Sequence, residues 1–291
     1  MFQQTTEIVF ATDFSDSSHA VIPAVARWVD ELGAKLTLLH VYDPKKVIHR
    51  DAQSLLQSFF AEADNYPDCE RVLIGGDVCE GIATYCARRT GAFLVLPPSD
   101  QSGLPRPWHR SLRARLIEQL DIPIWTLGRT NVGDSAPSND RHIGVWITDA
   151  EEGASQLRQA VRYVTQTGAT LHLLHVVEDV NEGSLTDPLT TRTPMAIDSA
   201  EVWLEELLQG MDGLKVEVHV AQGSPARELP RLLRRSGVEM LLVSQKSAIR
   251  KSLMRSTINP VFRKCAASFI CVPYRGRLED MWRGVTASAA A

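Results

Sequence analysis

Glu7 to Val41 reads EIVFATDFSDSSHAVIPAVARWVDELGAKLTLLHV, and His142 to Val176 reads HIGVWITDAEEGASQLRQAVRYVTQTGATLHLLHV. The two stretches share four features in one order. Each opens with an apolar run closed by Thr-Asp (Thr12-Asp13, Thr148-Asp149), passes through a helix-like segment to Gly-Ala (Gly33-Ala34, Gly168-Ala169), and ends on Leu-Leu-His-Val. The spacing between copies is 136 positions from Asp13 to Asp149 and 135 from His40 to His175. A spacing this constant is a tandem duplication, and its period is that of a whole domain rather than of a solenoid repeat.

Within each copy the pattern predicts a strand, a helix and a second strand. Ile8 to Ala11 is short and apolar, and the polar run Thr12 to Ser18 that ends it supplies Ser and Asp residues able to cap a helix. Val21, Val25, Trp28, Val29 and Leu32 recur at helical spacing, and Gly33 stands where a C-cap belongs. Leu36 to Val41 is apolar throughout, as a strand buried on both faces requires. Strand, helix and fully apolar strand make a βαβ unit, hence a parallel sheet.

Outward from there, the first half predicts a helix over about Asp51 to Asp64 and strands over Arg71 to Ile74, Phe93 to Leu96 and Ile122 to Leu127. It also predicts helices over Ile82 to Arg89 and Ser111 to Leu120. The second half repeats the order, with strands over Ile143 to Ile147, Leu171 to Val177, Lys215 to Val220, Met240 to Val243 and Phe269 to Val272. Its helices are expected over Glu152 to Thr167, Ile197 to Met211, Leu229 to Arg235 and Thr257 to Cys265, with a loop from Ser244 to Arg255. Domains are therefore expected at 1–130 and 142–275, with a polar linker at 131–141 and a tail at 276–291.

Bulk properties bound the function. The 291 residues suit two domains with real cores, and 44% hydrophobic with 23% charged residues is ordinary globular composition. A formal charge of -4 argues against a broad nucleic-acid surface. The five cysteines, Cys69, Cys79, Cys86, Cys265 and Cys271, form no Cys-x-x-Cys pair. They read as buried thiols rather than a disulfide framework or a zinc site. No signal peptide or membrane-spanning run is read, so the expected location is the cytoplasm, with no membrane partner.

Two βαβ-built halves, each with a first strand ending in Asp and a second ending Leu-Leu-His-Val, resemble the universal stress protein family over nearly the whole chain. The resemblance implies an α/β, Rossmann-like (adenine nucleotide alpha hydrolase-like) fold with five parallel strands per half. It implies a ligand at the carboxyl ends of the strands, and pairing of the two halves through their last strands as an intramolecular pseudo-dimer. That pairing would leave the chain a monomer or a homodimer. By the same resemblance the ligand-lining positions are Asp13 and Asp149, Val41 and Val176, Ser111, Ser256 and Thr257.

The family's nucleotide binders carry Gly-x-x-Gly, nine residues, then Gly followed by Ser or Thr, after the fourth strand. Glycines let backbone N–H groups close on phosphates. Here the first segment is LPPSDQSGLPRPWHRSLRARL, with Pro97, Asp100 and Arg110 at the glycine positions and Ser111 retained. The second is VSQKSAIRKSLMRSTINPV, with Ser244 and Ser247 at the loop glycines and, after a one-residue deletion, Ser256-Thr257 at the final pair. Prolines lack the donor and Asp100 would repel phosphate, so ATP bound in the family's usual way is not expected, and no other cofactor or metal is read.

Basic residues partly replace the glycines: Arg106, His109, Arg110, Arg113 and Arg115 in the first half, Lys246, Arg250, Lys251 and Arg255 in the second. They read either as a solvated surface or as an anion site. His40 and His175 read as hydrogen-bonded core histidines rather than catalytic ones. No Gly-x-Ser-x-Gly, His-Glu-x-x-His or Gly-x-x-x-x-Gly-Lys-Ser motif occurs, and no catalytic residue is assigned. Three functions follow. The first is a non-enzymatic stress-response protein acting through a partner or small ligand, which the missing cradles favour. The second is a slowly hydrolysing ATP sensor. The third is a binder or enzyme for another anionic ligand held by residues 106–115 and 246–255.

Overall fold

The computed structural model describes residues 5–98, 112–128, 141–148, 150–178, 193–209, 213–245, 251–252, 255–256, 261 and 264–273. In the first half β1 (Glu7–Ala11), α1 (Asp16–Leu32) and β2 (Lys35–Tyr42) form the expected unit. They are followed by α2 (His49–Ser58), β3 (Cys69–Gly75), α3 (Val78–Ala87), β4 (Ala92–Leu96), α4 (Leu112–Gln119) and β5 (Ile124–Leu127). The second half runs β6 (His142–Trp146), α5 (Ala150–Thr167), β7 (Thr170–Val177), α6 (Thr193–Leu207), β8 (Val216–Gln222), α7 (Pro225–Ser236) and β9 (Met240–Ser244). A short pair, β10 (Lys251–Ser252) and β11 (Arg255–Ser256), precedes β12 (Ser268–Val272).

The long strands join one sheet in the order β3-β2-β1-β4-β5-β12-β9-β6-β7-β8. Each half contributes five strands in the same order, and all pairs within a half are parallel. The halves meet where β5 and β12 pair antiparallel, from Ser268 opposite Leu127 to Cys271 opposite Ile124. This is the expected pairing through the last strands. Gly128 extends it, its N–H donating to Ala267 O at 2.9 Å. A Cβ at Gly128 would stand 2.1 Å from Cys265 O, so no side chain fits in this approach.

Strand alternation sends each residue set to one of two cores. Ile8, Phe10, Leu36, Leu38, Phe93 and Val95 line one face, and Val9, Ala11, Leu39, Val41, Leu94 and Leu96 the other. Both faces are buried, as the apolar runs required. Helix ends follow local chemistry. Ser15 is the N-cap of α1, accepting from Ser18 N, and Gly33 closes it at φ 57°.

Three expectations need correction. The helix expected over Asp51 to Asp64 ends at Ser58, and a separate 3-10 turn spans Ala61–Asn65. Buried Phe59 and Phe60 break it, Phe60 adopting φ 51°. Arg71 holds the break by donating to the carbonyls of Leu56 at 2.9 Å and Phe59 at 2.8 Å. The strand expected from Ile122 starts at Ile124, and the expected loop from Ser244 contains the β10–β11 pair. Residues 131–140 of the expected linker and the whole expected tail, 276–291, lie outside the described residues.

Candidate functional site

In each half the connections from two neighbouring strands leave in opposite directions, from β1 to β2 and from β4 to β5 in the first, from β6 to β7 and from β9 to β12 in the second. In the first half β1 stands between β2 and β4; in the second β6 stands between β7 and β9. Ligands of open α/β sheets bind in the crevice outside such a switch point. Asp13 follows β1 there, and Val41 lies near the end of β2.

Asp13 is held rather than loose. Its Oδ1 accepts from Ser15 Oγ at 2.6 Å, Ser18 Oγ at 2.7 Å and Ser15 N at 3.1 Å. Partial burial pushes its pKa up, but the hydrogen bonds from Ser15 and Ser18 outweigh this and keep it below the ordinary value. Asp13 therefore braces the cap of α1, while Ser15 is the cap itself. Val41 and Val176 are each 6% exposed and belong to the core. Val41 pairs with Ile74 of β3, beyond the last β1 partner, Leu39.

The histidines of the two Leu-Leu-His-Val motifs do one job twice. His40 Nδ1 lies 2.8 Å from Thr12 O, and His175 Nδ1 2.7 Å from Ile147 O. Each ring ties the end of a second strand to the residue just past the first. The same bonds fix the register between the copies: Thr12 N donates to Leu39 O and Ile147 N to Leu174 O. Ile147, not Thr148, thus stands at the Thr12 position, and Thr148 at that of Asp13. The matching of Asp13 with Asp149 read from the sequence is one residue out of step with the backbone.

Past the fourth strand of each half, the first loop opens with Pro97 and Pro98, both half-buried. In the second, Ser244 ends β9 and is 2% exposed; Gln245 is 7% exposed and its Nε2 donates to Ile122 O of the first half at 2.9 Å. Among the basic candidates, Arg113 lies half-buried on α4, and Lys251 and Arg255 stand on the β10–β11 pair, Lys251 opposite Ser256. Arg106, Arg110, Ser111, Asp149, Lys246, Arg250 and Thr257 lie outside the described residues.

A second constellation sits near the opposite, amino ends of the strands, and the sequence reading missed it. His142 of β6, His172 of β7 and Glu217 and His219 of β8 share one face, since His172 pairs with Glu217 and Leu174 with His219. His142 Nδ1 lies 2.9 Å from His172 Nε2, and His172 Nδ1 lies 3.0 Å from His219 Nε2. Glu217 Oε2 stands 3.4 Å from His172 Nδ1 and 3.6 Å from His219 Nε2. Burial pushes the His172 pKa down to about 4 against the pull of Glu217, and burial lowers that of His219 as well. His172 is therefore neutral at pH 7. The available signal was Glu217-x-His219 in a strand, which places both side chains on one face.

The corresponding positions of the first half hold Glu7, Thr37, Glu70 and Val72. Glu7 is 8% exposed. It accepts from Thr37 Oγ1 at 2.6 Å and Tyr85 OH at 3.2 Å, and pairs with Arg89 Nε at 3.1 Å.

The model of the universal stress protein family matches residues 140–273. A universal stress protein from Archaeoglobus fulgidus superposes with TM-score 0.71 at 18% identity, over 94% of this chain and 98% of its own. A putative universal stress protein from Pseudomonas aeruginosa gives TM-score 0.63 at 14% identity, over 94% of each chain. At these identities the likeness shows the fold. No curated protein matches the chain.

Proposed function

Through residues 140–273 the chain belongs to the universal stress protein family, and on that premise we propose that it serves the stress response by binding a protein partner or small ligand, without the family's glycine-cradled ATP. One observation carries this reading. Where the second cradle should open, Ser244 and Gln245 are buried, and Gln245 is fastened to Ile122 across the halves. The Gln245 side chain, anchored in this way, holds the mouth of the loop against the first half. In the first half Pro97 and Pro98 offer no N–H at the same place.

His40 and His175, the imidazoles near the ends of β2 and β7, are engaged with backbone carbonyls. A cytoplasmic location goes with this reading. The five cysteines are free, and burial pushes Cys86 and Cys271 to about 12 and Cys265 to about 11, where thiols are inert. No helix among the described residues is long and apolar enough to cross a membrane.

The test is calorimetric titration of ligand-stripped protein with ATP and Mg²⁺. No heat and no thermal shift is the expected result. Micromolar binding would overturn it in favour of a nucleotide sensor whose side chains replace the glycines.

A further inference from the structure

We propose that His172, His219 and Glu217 form a binding site for a divalent transition cation of the zinc class, oriented by His142. His172 Nδ1, His219 Nε2 and Glu217 Oε2 make a triangle with edges of 3.0, 3.4 and 3.6 Å. Ligand atoms about 2.0–2.1 Å from a tetrahedral ion are separated by about 3.3 Å. The three atoms therefore already stand where one ion would be in bonding range of all of them.

A chain of hydrogen-bonded imidazoles explains only part of this arrangement. One shared proton satisfies each N···N contact. It leaves Glu217 at distances too long for good hydrogen bonds to either ring, yet suited to a common ligand. His142 fits the role of an outer partner. With His172 Nδ1 on the ion, Nε2–H donates to His142 Nδ1 at 2.9 Å, fixing tautomer and ring plane.

Access and selectivity follow from the same residues. His172 is 1% exposed, the His219 side chain 21% and the Glu217 side chain 57%, so the site opens to solvent past Glu217. Two imidazoles and one carboxylate select zinc, cobalt, nickel or copper over magnesium or calcium. Three protein ligands leave a fourth position for water. The site is at the amino ends of the strands, apart from the switch-point crevice, and does not depend on the reading of that crevice.

The experiment uses the full chain after chelator treatment, titrated with Co²⁺ under visible absorption and with Zn²⁺ in competition. One equivalent of Co²⁺ giving tetrahedral-type d–d bands, displaced by Zn²⁺, is expected. His219→Ala and Glu217→Ala, both at partly exposed positions, should each weaken binding about 100-fold or more. His142→Ala should weaken it about 10-fold with the stoichiometry kept. Circular dichroism of each variant establishes that it is folded. Wild-type binding that is absent, non-stoichiometric or no tighter than that of folded His219→Ala overturns the proposal. So does binding that survives Glu217→Ala unchanged, which would leave an imidazole hydrogen-bond chain only.

Discussion

Glu7 and His142 open the two copies of one βαβ unit, and the polar groups around them have been resolved in opposite ways. In the first half a buried carboxylate is closed off by its own chain: Thr37, Tyr85 and Arg89 all donate to it, and the Arg89 guanidinium also lies 3.4 Å above the Tyr85 ring. In the second half imidazoles (His142, His172 and His219) stand where Glu7, Thr37 and Val72 do, and the rim carboxylate Glu217 keeps the place of Glu70. The first cluster has internal donors for its charge. The second brings two imidazole nitrogens and a carboxylate oxygen close to one point. A duplicated scaffold thus keeps its apolar faces while one of its few buried polar positions changes from a structural ion pair to a candidate ligand set.

The comparison breaks most visibly at Glu7. Glu7→Ala should cost about 3–5 kcal/mol in urea denaturation, because Arg89 is left without its partner in a partly buried setting. Co²⁺ binding should be unchanged. A cost under about 1 kcal/mol would mean that the first cluster is no more than a surface pair.

Zinc should stabilise the second cluster alone. At a free concentration one hundred times its dissociation constant, binding to the native state adds about 2.7 kcal/mol. A rise in Tm is expected for wild type and Glu7→Ala, and none for His219→Ala. A rise of equal size in His219→Ala would locate the ion elsewhere.

Acid should weaken the metal-free protein through His172. Its folded pKa of about 4 lies below the unfolded value of about 6.5, so as pH falls the unfolded chain takes the proton first. The contribution is complete above about 6.5 and is lost on the way down to about 4, on the order of 2–3 kcal/mol. Denaturation midpoints across that window measure it. His172→Thr, which copies Thr37 of the first half, should flatten the profile; a profile that stays steep would assign the loss to other groups.

The smallest effect is at the strand ends, where Asp13 faces Thr148 as its counterpart. Asp13→Ala should cost about 1 kcal/mol by loosening the Ser15 cap. The folded pKa is depressed, so the Asp13 contribution is present above the unfolded value and fades as pH falls through the folded one. The difference between wild type and variant should therefore close in acid. A difference that persists there would make the effect one of packing.

The sequence by itself determined the duplication, the βαβ units, the Gly33 cap and the absence of glycine cradles. Each is local: a period, a cap residue, or a backbone donor present or missing within a few positions. Tertiary structure decided which polar groups meet. Glu7 reaches Arg89 across 82 positions, and His172 reaches His142 across 30 and His219 across 47. Such meetings depend on strand order and register, which no single segment encodes. Register also corrected the sequence itself, since the backbone places Thr148 where matching by residue type had placed Asp149.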